Sequence, residues 1–255
     1  HLLAERAANQ RPNAELQRQQ ALDALPSESK LLIQNDGQVK VVSPQLLGRL
    51  HLNEAADLGD EPSPAQLILP IHPAPRLLAL TATGRVALVR WEFAGQQPGV
   101  LERFLPTALE GDKVISLLQL PSADDIEANQ RLSLGLLSTD GRFKRLPLDD
   151  MQELSGRAAT IVKLKDGVSL LSAVMCDDGG TVTLISDIGR VLCLSVEERC
   201  LPVMGKLAQG PMAMRTLPGE TLVGAVSHPA DPIGNATSSE ILAVSYTHLT
   251  LPTMS

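Results

Sequence analysis

At 255 residues, 44% of them apolar, the chain is long enough to bury one large or two small cores. Phe, Trp and Tyr make only 2%, so the core falls to Leu, Val, Ile and Ala, and base-stacking platforms for single strands are excluded. The net charge of -7 and the pI of about 5.3 exclude a surface that attracts phosphate all over, which leaves a local basic stripe against duplex as the one nucleic-acid option.

The three cysteines, Cys176, Cys193 and Cys200, show no C-x-x-C spacing, and an odd count argues against a disulfide framework and for a reducing compartment. No apolar run reaches the roughly 18 residues of a membrane span. The chain opens on His1 and reads as cut from something longer.

Residues 1–29 come first. Leu2–Ala8 and Ala14–Leu25 are rich in helix formers and predict a helix broken near Pro12, with Pro26-Ser-Glu-Ser as the linker to the rest of the chain. The stretches with Glu54, Asp57, Asp60 and Glu61, and with Asp124, Asp125 and Glu127, read as solvated acidic loops.

From residue 30 a pattern repeats. Leu31-Leu-Ile-Gln-Asn-Asp-Gly37-Gln-Val-Lys-Val-Val42 aligns with Leu78–Val89 around Gly84, Gly135–Leu146 around Gly141, and Thr183–Leu194 around Gly189. Each copy has an apolar strand, a polar residue (Gln34, Thr81, Ser138, Ser186), two turn residues, a glycine and a second apolar strand. That is a β-hairpin signature. Four copies at spacings of 47, 57 and 48 residues make a repeat architecture.

Between hairpins, Gly111–Leu120, Lys165–Val174 and Gly219–Val226 read as polar turns followed by outer strands, and Pro70, Pro121 and Pro229 stand where such strands end. One repeat of about four strands has the size of a propeller blade. A fifth repeat opens at Ile241-Leu-Ala243, and residues 244–255 read as translated adaptor sequence, a non-native tail.

The blade pattern, above all Leu136-Leu-Ser-Thr-Asp-Gly-Arg-Phe-Lys-Arg-Leu-Pro147 with the later Ser155-Gly-Arg-Ala-Ala-Thr-Ile-Val162, resembles the repeat of the C-terminal domain of bacterial type IIA topoisomerase A subunits, those of gyrase and topoisomerase IV. The resemblance spans residues 30–243. It implies an all-β fold, a β-pinwheel of four-stranded blades that exchange strands, with a helical N-terminal segment. It also implies a basic rim that binds and bends duplex DNA, and a cytoplasmic, nucleoid-associated protein. The implied partners are duplex DNA, the rest of a dimeric A subunit and the ATPase B subunit, with ATP and Mg acting elsewhere in the holoenzyme. Supercoiling gyrases carry a Gln-Arg-Arg-Gly-Gly-Lys-Gly-like box in the first blade. Leu47-Gly-Arg-Leu-His-Leu-Asn-Glu-Ala-Ala-Asp57 shows none, which favours a topoisomerase IV-like or divergent relative.

Candidate phosphate contacts are Arg85, Arg142 and Arg190, each after its hairpin glycine, with Lys40, Arg90, Lys144 and Arg145 on second strands and Arg157, Lys163 and Lys165 beyond. Residues 131–165 hold seven Lys or Arg against four Asp or Glu, a local excess of positive charge. The competing reading makes these cations ordinary strand positions paired with acids such as Asp140 and Asp149. A protein-interaction propeller without DNA affinity is the alternative function, motivated by the acidic net charge.

Catalysis is not expected. The lone tyrosine, Tyr246, falls in the tail, and no Gly-Lys-Ser/Thr loop or Gly-x-Ser-x-Gly elbow occurs. His51, His72 and His228 lack metal-ligand spacing. Asp177-Asp178-Gly-Gly180 reads as a tight turn, and Trp91 and Phe93 as packing residues.

Overall fold

In a computed structural model, which describes residues 16–46, 65–122, 131–152, 154 and 156–230, all four hairpins form. They are β1 (Lys30–Gln34) with β2 (Gln38–Val42), β4 (Arg76–Thr81) with β5 (Arg85–Leu88), β8 (Leu132–Ser138) with β9 (Phe143–Pro147), and β12 (Thr181–Ser186) with β13 (Val191–Ser195).

Each turn is built the same way. Gly37, Gly84, Gly141 and Gly189 take φ between 79° and 83°, a region closed to most L-residues by Cβ contact. Their N–H groups donate to the carbonyls of Gln34, Thr81, Ser138 and Ser186. The repeated hydroxyl serves the turn directly. Thr81 Oγ1 accepts from the Arg85 N–H at 3.3 Å, Ser186 Oγ accepts from the Arg190 N–H at 3.2 Å, and Ser138 Oγ donates to the Arg142 carbonyl at 3.2 Å. At Thr81 and Ser186 the side chain thus takes up a backbone N–H where the turn interrupts the ladder, and at Ser138 it adds a second donor to the Arg142 carbonyl, which also accepts the Ser138 N–H at 3.0 Å.

An outer strand pairs antiparallel with the first strand of each hairpin: β3 (Ala65–Pro70) with β1, β7 (Val114–Leu120) with β4, β11 (Leu170–Asp177) with β8, and β14 (Leu222–His228) with β12. Pro70 closes β3, while Pro121 and Pro229 directly follow β7 and β14.

The other edge of a hairpin is completed from later in the chain. β6 (Gly99–Val100) pairs with β2, and β10 (Ala159–Thr160) with β5, giving sheet orders β3-β1-β2-β6 and β10-β5-β4-β7. On β9 the place is taken by a bridge between Arg142 and Met212. The register is constant. The residue after the hairpin glycine faces Val100, Thr160 or Met212, and the following residue, Leu101, Ile161 or Ala213, donates its N–H to the carbonyl of Gly37, Gly84 or Gly141 at 2.9 to 3.0 Å. Each completing segment follows the next hairpin in sequence, so the blades exchange strands.

The described residues divide into two units, the first holding those up to Pro75 with Val89–Leu105, the second Arg76–Leu88 with everything from Pro106. In the first, Leu31, Ile33 and Val39 are buried, and Trp91, in a 3-10 turn over Trp91–Gly95, is buried with its Nε1 donating to the Pro75 carbonyl at 2.8 Å. A helix over 16–23 belongs to this unit, and its Arg18 pairs with the buried Glu92 at 2.8 Å. Desolvation holds the Glu92 carboxyl above the usual range against the pull of its backbone hydrogen bond and Arg18.

The second unit has two apolar clusters. One joins Leu78, Leu80 and Val86 to Leu134, Leu136, Leu146 and Ile161, and the other joins Leu137 and Phe143 to Val182, Leu184, Leu201 and Met214. The expected helix before residue 16, the acidic stretches at 54–61 and 124–127, the Leu47–Asp57 stretch with His51, the repeat opening at Ile241 and the tail from Val244 lie outside the described residues.

Candidate nucleic-acid interface

The three arginines after hairpin glycines are all paired. Arg85 Nη1 lies 3.3 Å from Asp112, which also accepts from the Thr83 hydroxyl at 2.7 Å. Arg142 Nε lies 3.3 Å from Asp140, and its Nη1 donates to the Gly210 carbonyl at 2.9 Å. Arg190 Nη1 meets Glu220 at 2.5 Å. Hydrogen bonds from the Ser186 hydroxyl and the Leu217 N–H, and then Arg190 itself, hold the Glu220 carboxyl below its usual range. Asp112 and Glu220 follow Gly111 and Gly219 in equivalent outer-strand turns. That pairing was visible in the sequence as two Gly-acid turns matched to two Gly-Arg hairpins, and sequence reasoning missed it, naming Asp140 alone of the three partners.

Lys144 and Arg145 are placed inside, each 1% exposed. Lys144 Nζ donates to the Ile161 carbonyl at 2.7 Å, fastening the completing segment to the next blade. Arg145 donates through Nε to the Leu201 carbonyl at 2.5 Å and pairs with Asp178 and, at 3.5 Å, with Glu198. Its own carbonyl accepts from the Met204 N–H at 2.8 Å. Alternation put both on one strand, and β9 is buried on both faces, so neither cation is available as a rim residue.

Burial pushes the Lys144 amine down to about 8 from 10.5, with Asp150 opposing the shift. Between those values the unfolded chain carries a proton that the folded chain lacks, so stability rises with pH. Burial also pushes the Cys176 thiol up to about 12 from 9.0, so above pH 9 the unfolded chain loses a proton that the folded one keeps, and that term opposes the first. The window between pH 8 and 9 therefore belongs to Lys144. Unfolding free energy measured by urea titration is expected to rise by about 1 kcal/mol across it, and Lys144→Met should flatten the rise.

The remaining candidates face solvent. Arg90, Arg157, Lys163 and Lys165 are exposed and Lys40 is half-buried, and none has an ion-pair partner among the described residues. Three of them sit on one segment. Residues 156–165 carry Arg157, Lys163 and Lys165 outward on either side of the buried Ile161 and Val162, which are anchored by the Ile161 N–H on Gly84 and by Lys144 Nζ on the Ile161 carbonyl. Lys165 and Arg142 also line one small pocket with Ser138, Asp140 and Gln209. The cations are thus held on a pinned backbone.

This combination of repeated hairpins, outer strands and exchanged segments matches solved structures. The C-terminal domain of DNA topoisomerase IV superimposes with a TM-score of 0.61 at 16% identity over 78% of this chain and 61% of that one. The DNA gyrase A C-terminal domain gives 0.54 at 15% identity over 78% and 64%, and the E. coli ParC C-terminal domain 0.54 at 16% identity over 79% of each. The chain has the fold of these C-terminal domains, a β-pinwheel. Compared by sequence it matches no family model and no curated protein, and it spans about three fifths of the first two structures.

The pinwheel's described residues contain no group of three His, Cys, Asp or Glu placed to hold a metal ion, and no helix among them is long and apolar enough to cross a membrane. Tyr246 lies outside them. Asp177–Gly180 is the turn between β11 and β12, with the Gly180 N–H on the Asp177 carbonyl at 2.9 Å. Its two carboxylates are engaged, Asp177 by Arg131 at 3.4 Å and Asp178 by Arg145.

Proposed function

We propose that this β-pinwheel binds duplex DNA through phosphate contacts from Arg157, Lys163 and Lys165, with Arg90 and Lys40 as further contacts, and serves as the non-catalytic C-terminal domain of a type IIA topoisomerase A subunit. The observation that carries the reading is the outward, unpaired placement of three cations on one anchored segment of a fold shared with topoisomerase C-terminal domains. In that role it bends a segment of DNA beside a cleavage core formed by the rest of the dimeric subunit, while ATP and Mg act with the B subunit. A bacterial cytoplasm, at the nucleoid, is the matching location.

Phosphate contacts of this kind position a duplex without reading its sequence, and each adds a salt dependence of roughly 0.9 to the slope of log affinity against log salt. Affinity for a 40-base-pair duplex, followed by anisotropy at several salt concentrations, is expected to fall at least about tenfold in an Arg157→Glu, Lys163→Glu, Lys165→Glu variant, with a slope shallower by about 3. Arg85→Gln, which removes a cation already neutralised by Asp112, should change it little. A folded protein with no salt-dependent binding would remove the DNA reading. It would favour the protein-interaction module, which the net charge of -7 and the self-neutralised arginines support.

A further inference from the structure

Each post-glycine arginine has one acid partner among the described residues, and the acids come from two places. Asp112 and Glu220 reach Arg85 and Arg190 from the turn before the outer strand, as the residue after Gly111 or Gly219. Asp140 reaches Arg142 from within the hairpin, as the residue before Gly141. The two positions alternate. Where the outer turn supplies the acid, the residue before the hairpin glycine is Thr83 or Ile188, and where the hairpin supplies it, the outer turn has Val168 after Gly167. Register makes these turns equivalent. Thr81 faces Val114, Ser138 faces Leu170 and Ser186 faces Leu222, and the N–H groups of Ala82, Thr139 and Asp187 donate to the carbonyls of Lys113, Ser169 and Thr221 at 2.8 to 3.0 Å. From either place the carboxylate also meets the repeated hydroxyl. Asp112 lies 3.4 Å from that of Thr81, Asp140 2.5 Å from that of Ser138, and Glu220 accepts from that of Ser186.

A carboxylate delivered to the same arginine by two different routes points to its charge rather than to the backbone that carries it. Arg85 is the telling case. It faces Thr160 in the register of β5 with β10, beside the segment that carries Arg157 and Lys163, and its side chain is 34% exposed, so access to a duplex is not what it lacks. We infer that Asp112 is an internal competitor for phosphate, which keeps Arg85 out of the duplex interface and leaves the contact to residues 156–165, and that Asp140 and Glu220 act likewise on Arg142 and Arg190. The inference rests on the DNA reading. A phosphate brought to Arg85 meets a carboxylate 3.3 Å from the same guanidinium, so attraction to one charge is offset by repulsion from the other. The acid is tethered beside its partner, whereas phosphate must come from solution.

The test compares affinities of the full chain for the 40-base-pair duplex at several salt concentrations. Asp112→Asn is expected to bind about fivefold more tightly near 0.1 M salt, with a slope steeper by about 0.9, the value of one added phosphate contact. Asp112→Val, which installs the residue that the third blade carries at Val168, should do the same, and thermal melts establish that each variant is folded. Adding Arg85→Gln to Asp112→Asn should return both quantities to the wild-type values. Glu110→Gln, which removes the same charge from an exposed residue of the same turn, should leave the slope unchanged. Salt-dependent binding by the wild type with no gain in either Asp112 variant would overturn the inference and leave the DNA reading standing. So would a gain that survives the loss of Arg85, because it would then follow from net charge alone. No binding by any of these folded proteins would remove both.

Discussion

Replacing Gly141 by alanine is expected to remove about 3–5 kcal/mol of stability, roughly a 10 °C fall in melting temperature. Two separate costs combine. The φ of 83° places any Cβ against the neighbouring carbonyl, for about 1–2 kcal/mol. The new methyl would then stand 1.9 Å from the Met214 carbonyl oxygen, a backbone atom that cannot rotate away, so the segment carrying the Ala213 and Met214 N–H bonds to Gly141 must lift. Gly189→Ala isolates the first cost. It shares the conformation, at φ 80°, with nothing described within 4 Å, and should lose only about 1 kcal/mol. Urea denaturation of both variants decides the matter, because equal losses would mean that strand exchange adds nothing to the constraint at Gly141.

Arg145→Glu should be nearly as damaging, at about 3–5 kcal/mol. The guanidinium is buried among the Leu201 carbonyl, Asp178 and Glu198, so reversal leaves a carboxylate facing two others and an unmet carbonyl. Arg145→Met, which keeps the volume and removes the charge, should cost less, since Asp178 and Glu198 both reach solvent and can hydrate. Circular dichroism melts would reveal the difference. A loss of DNA binding in an Arg145 variant would then report unfolding rather than a missing phosphate contact, whereas Lys163 and Lys165, both exposed, carry no such ambiguity. Full stability in Arg145→Glu would contradict the buried placement of this side chain.

Much of the pinwheel was legible in the chain because its signals are local. A glycine three residues after Gln34, Thr81, Ser138 or Ser186, flanked by apolar runs, needs only its own backbone to make a hairpin, and all four formed where the repeat put them. The outer strands β7, β11 and β14 were equally readable from their polar turns and apolar alternation. The completing segments were not. Gly99–Val100 and Ala159–Thr160 are two residues long, too short to have a period, and their conformation comes from the edge they complete.

The sequence by itself determined the repeat, its turn chemistry, the aliphatic core and the absence of a recognisable catalytic motif, since each depends on residue type and spacing within a few positions. Only the tertiary structure decided which cations are free. Arg142, Lys144, Arg145 and Lys165 look alike in the chain, but burial and partners are set by elements 17 to 68 residues away, and no local pattern encodes them. The same long-range packing covers Val39, Val86 and Phe143 and leaves Val191 exposed among the described residues. A side chain's environment depends on which segment arrives over it, and that is settled by the fold.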